Sequence, residues 1–301
     1  MKKRVQQVKL NAEQVSSWLP KREFTSQKGE NGHILVVAGC NQMPGAAFLA
    51  SLGALKAGAG LVTLASTEWV CRIVASLLPE VTFLYLPEKN GTIDQDAADI
   101  LLETKSHYQG AVFGPGLSLH DNVLKMQGQV FQGWDIPSCL DADALNAVSQ
   151  GILPPKVMSV FTPHPGEMGR LLKLSTAEVQ RDRPISIQKA VSKYNQTFLL
   201  KGAHSLVLSP FEETLWINPT GNSGMATGGM GDVLAGMIAT FLGQKLLADQ
   251  AACCSAYLHG LSGDLCAKRI GAIGYTASEL AHFLPQARER IFDQISTSFK
   301  I

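Results

Sequence analysis

Short, wholly apolar runs that end in glycine, proline or a charged residue recur along this chain, with helical patterns between them. Such runs occupy residues 33–39, 61–65, 81–86, 111–113, 139–141, 160–162 and 198–200. Helical composition follows at 44–58, at 69–78 and from about residue 142. A strand that is apolar at every position has both faces buried, which is the condition of a parallel sheet covered by helices. The β-α-β-α alternation predicts a doubly wound, mostly parallel α/β sheet flanked by helices. Residues 205–209 and 214–217, separated by Pro210-Phe211-Glu212-Glu213, read as a hairpin. Helices at 231–244, 248–270 and 276–295 close the chain. No repeat and no Pro/Ser-rich linker divides it, so residues 1–301 are expected to form one domain.

Composition narrows the function classes. Charged residues make up 17% of the chain and hydrophobic residues 46%, which excludes a disordered chain or a coiled coil. With 26 Lys and Arg against 25 Asp and Glu, no net field attracts nucleic acid or an anionic membrane. The most apolar stretch, 46–65, is interrupted by Lys56 and three glycines, whereas a membrane span needs about 20 uniformly apolar residues. Met1-Lys2-Lys3-Arg4 is basic but leads into no apolar core, so no secretory signal is expected. The six cysteines form no Cys-x-x-Cys pair and read as free thiols. A cytoplasmic protein without nucleic-acid or membrane partners is the expectation.

The segment from Asn218 to Gly236 carries the strongest local signal. Six of the 16 residues 221–236 are glycine, and apolar residues then fall at Val233, Leu234, Met237, Ile238, Phe241 and Leu242. That spacing marks one face of a helix, with Asp232 in its first turn. Free N–H groups at a helix start bind anions, and Gly228, Gly229 and Gly231 would let a phosphate approach closely. A carboxylate beside a phosphate is costly unless it takes a proton from an attacking hydroxyl. The alternative reading is that Asp232 only caps the helix, a contribution of about 1 kcal/mol. Neither a Gly-x-x-x-x-Gly-Lys-Ser/Thr loop nor a complete Gly-x-Gly-x-x-Gly fingerprint is present.

With these residues in view, the chain resembles the ADP-dependent NAD(P)H-hydrate dehydratases of the ribokinase-like fold. Thr220-Gly221-Asn222-Ser223-Gly224-Met225-Ala226-Thr227-Gly228-Gly229-Met230-Gly231-Asp232 is similar to the hallmark of that family. The resemblance also rests on Ala38-Gly39-Cys40, Pro44-Gly45-Ala46-Ala47 and 57–62, then Gly114-Pro115-Gly116 and 141–146. Thr162-Pro163-His164-Pro165-Gly166-Glu167 and Leu200-Lys201-Gly202-Ala203 complete the order. It covers roughly residues 10–295.

The resemblance implies a lyase that repairs hydrated NADH and NADPH. It would consume ADP, or ATP, with Mg²⁺, and release AMP and phosphate. It implies that Asp232 is the catalytic base and contacts the substrate hydroxyl. Ala46, Gly116 and His164 would contact the hydrated dinucleotide. Lys201, Gly202, Ala203, His204 and Ser205 would hold the AMP portion, with Gly231 at the phosphate. Met230 and Ala235 stand where the family usually has Thr, and Ser223 where Pro is common. The family also implies a homotetramer. Many members carry an epimerase domain ahead of this one, so here the epimerase is expected on a separate chain.

Each residue has a plainer reading. His164, between two prolines, reads from the residues alone more as fixing a turn than as a ligand contact, and Lys201 reads equally as a solvated strand end. Asp141 and Asp143 face one way if extended, as Mg²⁺ ligands through phosphate or water, or else cap the helix near Ala144, the reading slightly favoured. Gly114 and Gly116 permit close backbone approach or merely turn the chain. Cys253, Cys254 and Met225 read as packing. The rival functions are a small-molecule kinase of the same fold and a nucleotide-binding protein without catalysis.

Overall fold

In the computed structural model, which describes residues 5–298, ten strands form one sheet. They are β1 (Gln6–Lys9), β2 (His33–Val37), β3 (Leu61–Ser66), β4 (Thr82–Tyr85), β7 (Gly110–Phe113), β8 (Ser138–Leu140), β9 (Val160–Phe161), β10 (Thr197–Leu200), β11 (Leu206–Leu208) and β12 (Thr214–Ile217). A separate small hairpin is made by β5 (Glu88–Lys89) and β6 (Thr92–Ile93). The sheet order is β1-β12-β11-β10-β9-β8-β7-β2-β3-β4. All neighbours are parallel except β10 with β11 and β11 with β12. The expected hairpin is therefore present, pairing Leu206 with Ile217. The strand β1 was not foreseen: Gln-Gln-Val-Lys lies exposed on the sheet edge and has no apolar alternation to betray it. Met1-Lys2-Lys3-Arg4 lies outside the described residues.

Helices cover both faces. Their ranges are α1 (Ala12–Trp18), α2 (Pro44–Ala57), α3 (Glu68–Leu77), α4 (Ala97–Thr104), α5 (Asp121–Gly133), α6 (Ala142–Ser149), α7 (Pro165–Leu172), α8 (Thr176–Arg181), α9 (Arg183–Tyr194), α10 (Met230–Gly243), α11 (Ala248–Arg269) and α12 (Ala277–Ser298). The period-two alternation of strand side chains sorts the core into two layers. Ile34 and Val36 pack with α1, α2, α3, α10, α11 and α12, whereas Leu35 and Val37 pack with the helices between residues 97 and 194. Among the described residues no helix is long and apolar enough to cross a membrane. The six cysteines are free and buried, so Cys253 and Cys254 are packing residues, as expected.

One helix contact positions the site. α10 is apolar on nearly every side and runs through the core against α2. A Cβ on Gly53 would stand 2.3 Å from the Val233 carbonyl oxygen, and one on Gly236 would stand 2.0 Å from that of Ala50. The two backbones touch because glycine removes the side chains that would hold them apart. The N-terminus of α10 is thereby fixed above the carboxyl ends of the strands, where open parallel sheets bind ligands.

Candidate active site

The strand register aligns Val37, Phe113, Leu140 and Phe161 along one edge, and the residues that follow them meet there. Asp141 follows β8, Thr162 follows β9 and Lys201 follows β10. Asp141 Oδ1 accepts from Lys201 Nζ at 2.6 Å and from Thr162 Oγ1 at 2.7 Å. Lys201 Nζ also lies 3.7 Å from Glu167 Oε2. Burial alone would pull the Lys201 ammonium down; Asp141 and Glu167 outweigh it and hold it above its usual value. Burial pushes the Glu167 carboxyl up, against the pull of Lys201. Lys201 is thus an ion-pair hub and not a solvated strand end.

The capping reading of Asp141 is corrected. Asp141 stands at the N-cap position of α6, but its side chain makes no capping bond because Lys201 and Thr162 claim it. Its neighbour Ala142 adopts φ +46°, a left-handed backbone that costs free energy at a non-glycine residue. Asp143 accepts from the Ser118 N–H at 2.8 Å and from Asn146 Nδ2 at 3.2 Å. Among the described residues no three His, Cys, Asp or Glu side chains are arranged to hold a metal. With Asp141 engaged, the donor set suits an ion carried mainly by phosphate and water, with at most one or two carboxylates, as Mg²⁺ commonly is.

Asp232 enters from the other side, in the first turn of α10. The N-cap is Gly229, at φ +85°, and Asp232 makes no capping bond. The first intrahelical bond runs from the Val233 N–H to the Gly229 carbonyl, so the N–H groups of Met230, Gly231 and Asp232 precede the ladder. Burial pushes the Asp232 carboxyl up to about 7; Asp141, Asp143 and Glu167 add to the rise and Lys201 opposes it. A Cβ on Gly231 would lie 3.3 Å from Lys201 Nζ and 3.6 Å from Asp141 Oδ2. Gly231 therefore marks where the helix start meets the ion-pair hub.

A cavity of about 670 Å³ opens beside this junction. Its wall includes His164, Lys201, residues 202–205, the glycine-rich approach from Asn218 to Thr227 apart from Gly224, and Gly231. The 202–205 turn is held by Arg183, which donates to the carbonyls of Leu200, Lys201 and Ala203. That brace accommodates Gly202 at φ +132° and His204 at φ +51°. His164 caps α7: its Nδ1 accepts from the Gly166 N–H at 3.0 Å, and Glu167 Oε2 accepts from the His164 N–H at 2.8 Å. It thus fixes a turn and also faces the cavity. Burial and Lys201 hold its imidazole below the usual value.

The expected residues fall into two groups. His164, residues 201–205 and Gly231 share the cavity. Ala46 and Gly116 do not line it; they meet each other, since a Cβ on Gly116 would lie 2.9 Å from that of Ala46. The loop bearing Gly116 reaches the hub through Gly114, whose Cβ would strike the Asp141 carbonyl, and through Ser118 on Asp143. Gly228 and Gly229 also stand outside the cavity wall; Gly229 packs on Leu49. Sequence reasoning missed Arg183 and His259. His259 lies on α11, lines the cavity, and carries a buried Nε2 without a partner. Burial takes its imidazole down to about 4.

Comparison with known proteins places this geometry. The sequence model of the NAD(P)H-hydrate dehydratase family matches residues 34–286. A bifunctional NAD(P)H-hydrate repair enzyme of Moorella thermoacetica is 39% identical over 295 residues, 96% of this chain and 55% of that protein. The chain spans about half the length of the first such curated relatives it matches. An ADP-dependent (S)-NAD(P)H-hydrate dehydratase of Bacillus subtilis is 34% identical, with 92% of this chain and 96% of the relative covered. The crystal structure of an ADP/ATP-dependent NAD(P)H-hydrate dehydratase from Bacillus subtilis, co-crystallized with ATP and Mg²⁺, superposes with a TM-score of 0.83 at 31% identity, covering 93% and 97% of the two chains. The ribokinase-like α/β/α arrangement is shared with these structures. An intact glycine-rich approach, Asp232 in the turn behind it and a match over 253 consecutive residues, 34–286, lead to one conclusion: the chain belongs to the NAD(P)H-hydrate dehydratase family.

Proposed function

We propose that this protein is an ADP-dependent dehydratase acting on the S epimer of hydrated NADH and NADPH. The observation that carries the reading is Asp232: a carboxyl pushed to about 7 in the first turn of α10, itself off the cavity wall but next in the chain to Gly231, which lines it. A general base is most effective when its pKa lies near the working pH.

The chemistry follows from the site. Hydroxide is a poor leaving group. Asp232 takes the proton of the C6 hydroxyl as its oxygen attacks the terminal phosphorus of ADP, and the bond to the bridging oxygen breaks to leave AMP. The C6–O bond of the resulting phosphate ester then breaks, driven by the ring nitrogen lone pair, and phosphate leaves. Loss of the C5 proton restores the dihydronicotinamide. The products are NADH or NADPH, AMP and phosphate. The orphan N–H groups of α10 and the Lys201 ammonium would stabilise the charge developing on the transferred group. Mg²⁺ arriving with the nucleotide would supply charge neutralisation, and Asp141 and Asp143 would meet it through phosphate or water. Residues 202–205 would receive the AMP portion. The edge where Ala46 meets Gly116, together with His164, would receive the dinucleotide.

The remaining expectations belong to the same reading. The expectation of one ribokinase-like domain for residues 1–301 is supported by the single ten-stranded sheet that takes in both β1 and β12. An epimerase activity feeding the S epimer is supported by the name bifunctional on relatives of about twice the length. A homotetramer is the expectation from the family resemblance and is checked by light scattering; a cytoplasmic location is the expectation from the free cysteines.

The test combines the protein with hydrated NADH, Mg²⁺ and either ADP or ATP, and follows the return of reduced-nicotinamide absorbance. Recovery that needs nucleotide and releases phosphate supports the reading. No recovery on substrate shown to contain the S epimer sinks it. A stable phosphorylated product would identify a kinase of the same fold.

A further inference from the structure

A carboxylate on α11 has no part in the chemistry above. Asp264 Oδ2 accepts from the Gly221 N–H at 3.0 Å, and its Oδ1 accepts from Asn222 Nδ2 at 3.0 Å. Asn222 Oδ1 accepts in turn from the Tyr275 hydroxyl at 2.8 Å and from the Gly224 N–H at 3.0 Å. Three hydrogen bonds thus reach residues 221–224 from α11 and from the segment ahead of α12, and a fourth closes the loop on itself. Gly221 stands at φ +102°, and a Cβ on Gly224 would strike the Ala272 carbonyl and the Tyr275 ring. Gly221, Asn222 and Ser223 line the cavity; Asp264 and Tyr275 stand behind them.

We propose that Asp264 is a positioning residue for the nucleotide: it holds residues 221–224 in the shape that receives a nucleoside diphosphate, and it acts only through that loop. The proposal rests on the nucleotide reading of the cavity given above. Two donors face Asp264, and a carboxylate accepts from both, whereas an amide must turn its own NH₂ on one of them. Short glycine-rich backbone has little side-chain packing to hold it. Ties of this kind therefore set its shape. Asp264 stands off the cavity wall, so its charge is neutralised by loop donors and does not confront the anion directly.

The experiment measures ADP binding by calorimetry, KM for ADP, KM for hydrated NADH and the melting temperature. It uses the whole protein and the variants Asp264→Asn and Tyr275→Phe. Asp264→Asn is expected to weaken ADP binding about 10-fold, the equivalent of one lost charge-assisted hydrogen bond. Tyr275→Phe removes the second tie and should weaken ADP about 3-fold. KM for hydrated NADH should stay within about 2-fold in both, because the loop effect is confined to the nucleotide wall. Unchanged ADP affinity in both variants overturns the proposal. A parallel rise of both KM values with a lower melting temperature also overturns it, since that marks a general scaffold residue. Should the wild-type protein itself bind no ADP, the nucleotide reading of the cavity falls first, and this proposal with it.

Discussion

The Lys201 ammonium sits 2.6 Å from the Asp141 carboxylate, joining residues 60 positions apart across the end of the strand between them, β9. Lys201 is 19% exposed and Asp141 2%, so the pair is held largely out of water. Removing one partner of such a pair strands a buried charge. Lys201→Met should lower stability by about 3 kcal/mol in urea denaturation. Adding Asp141→Asn to that variant should recover part of the loss. Equal stability of Lys201→Met and wild type would show that the pair does not hold the strand ends together.

The pH profile should follow Asp232. Its carboxyl must be ionised to accept a proton, so kcat/KM should rise as pH climbs through about 7. Lys201 holds that value down, so a Lys201→Met variant with residual turnover should show the limb displaced to higher pH. A limb near the ordinary Asp value would remove Asp232 from the role of base.

Asp232→Asn separates binding from turnover. It should reduce kcat by about 10³-fold or more while ADP affinity changes little. The same variant reports on stability. The folded value of about 7 lies above the unfolded one, so the contribution of Asp232 is complete below its ordinary range and is lost as pH rises to about 7. At pH 8 the variant should therefore be more stable than wild type by about 1–2 kcal/mol, discounted for solvent screening, and equal to it near pH 4. Thermal melts at the two pH values check the sign.

Gly236→Ala tests the helix contact. Its Cβ would stand 2.0 Å from the Ala50 carbonyl oxygen and 2.8 Å from the Ala54 nitrogen, both backbone atoms that cannot rotate away. Overpacking of this kind should cost about 3 kcal/mol and displace α10, lowering turnover as well. Gly228→Ala, with open space at its Cβ, is the control and should leave stability unchanged. Equal melting temperatures for the two would contradict the contact.

What could be read from the sequence was local. The glycine run, Asp232 and the apolar face of α10 lie within about one helix length, and their spacing carries their meaning. The strand runs were legible because both faces are buried. The hub was not legible as a unit: Asp141, Glu167 and Lys201 come together only when β8, β9 and β10 align, and each alone admits a bland reading. Arg183, His259 and Asp264 stand in ordinary helical patterns, and only tertiary packing brings His259 to the cavity and sets Arg183 and Asp264 behind its wall. β1 escaped because its short, exposed sequence lacks alternation, and the β5–β6 hairpin because two residues a strand are too few to show a period.

The glycine-mediated contact between α2 and α10 divides labour within the site. The floor, with Asp232, is welded into the core and has no freedom to adapt. The wall, from residue 202 to 227, is turn and loop hung on a hairpin, tied by Arg183 on one side and by Asp264 on the other. On the proposed reading, discrimination between a diphosphate and a triphosphate would therefore drift through substitutions in the wall while the Asp232 carboxylate stays where it is. Chemistry and nucleotide taste are separately evolvable in such an arrangement.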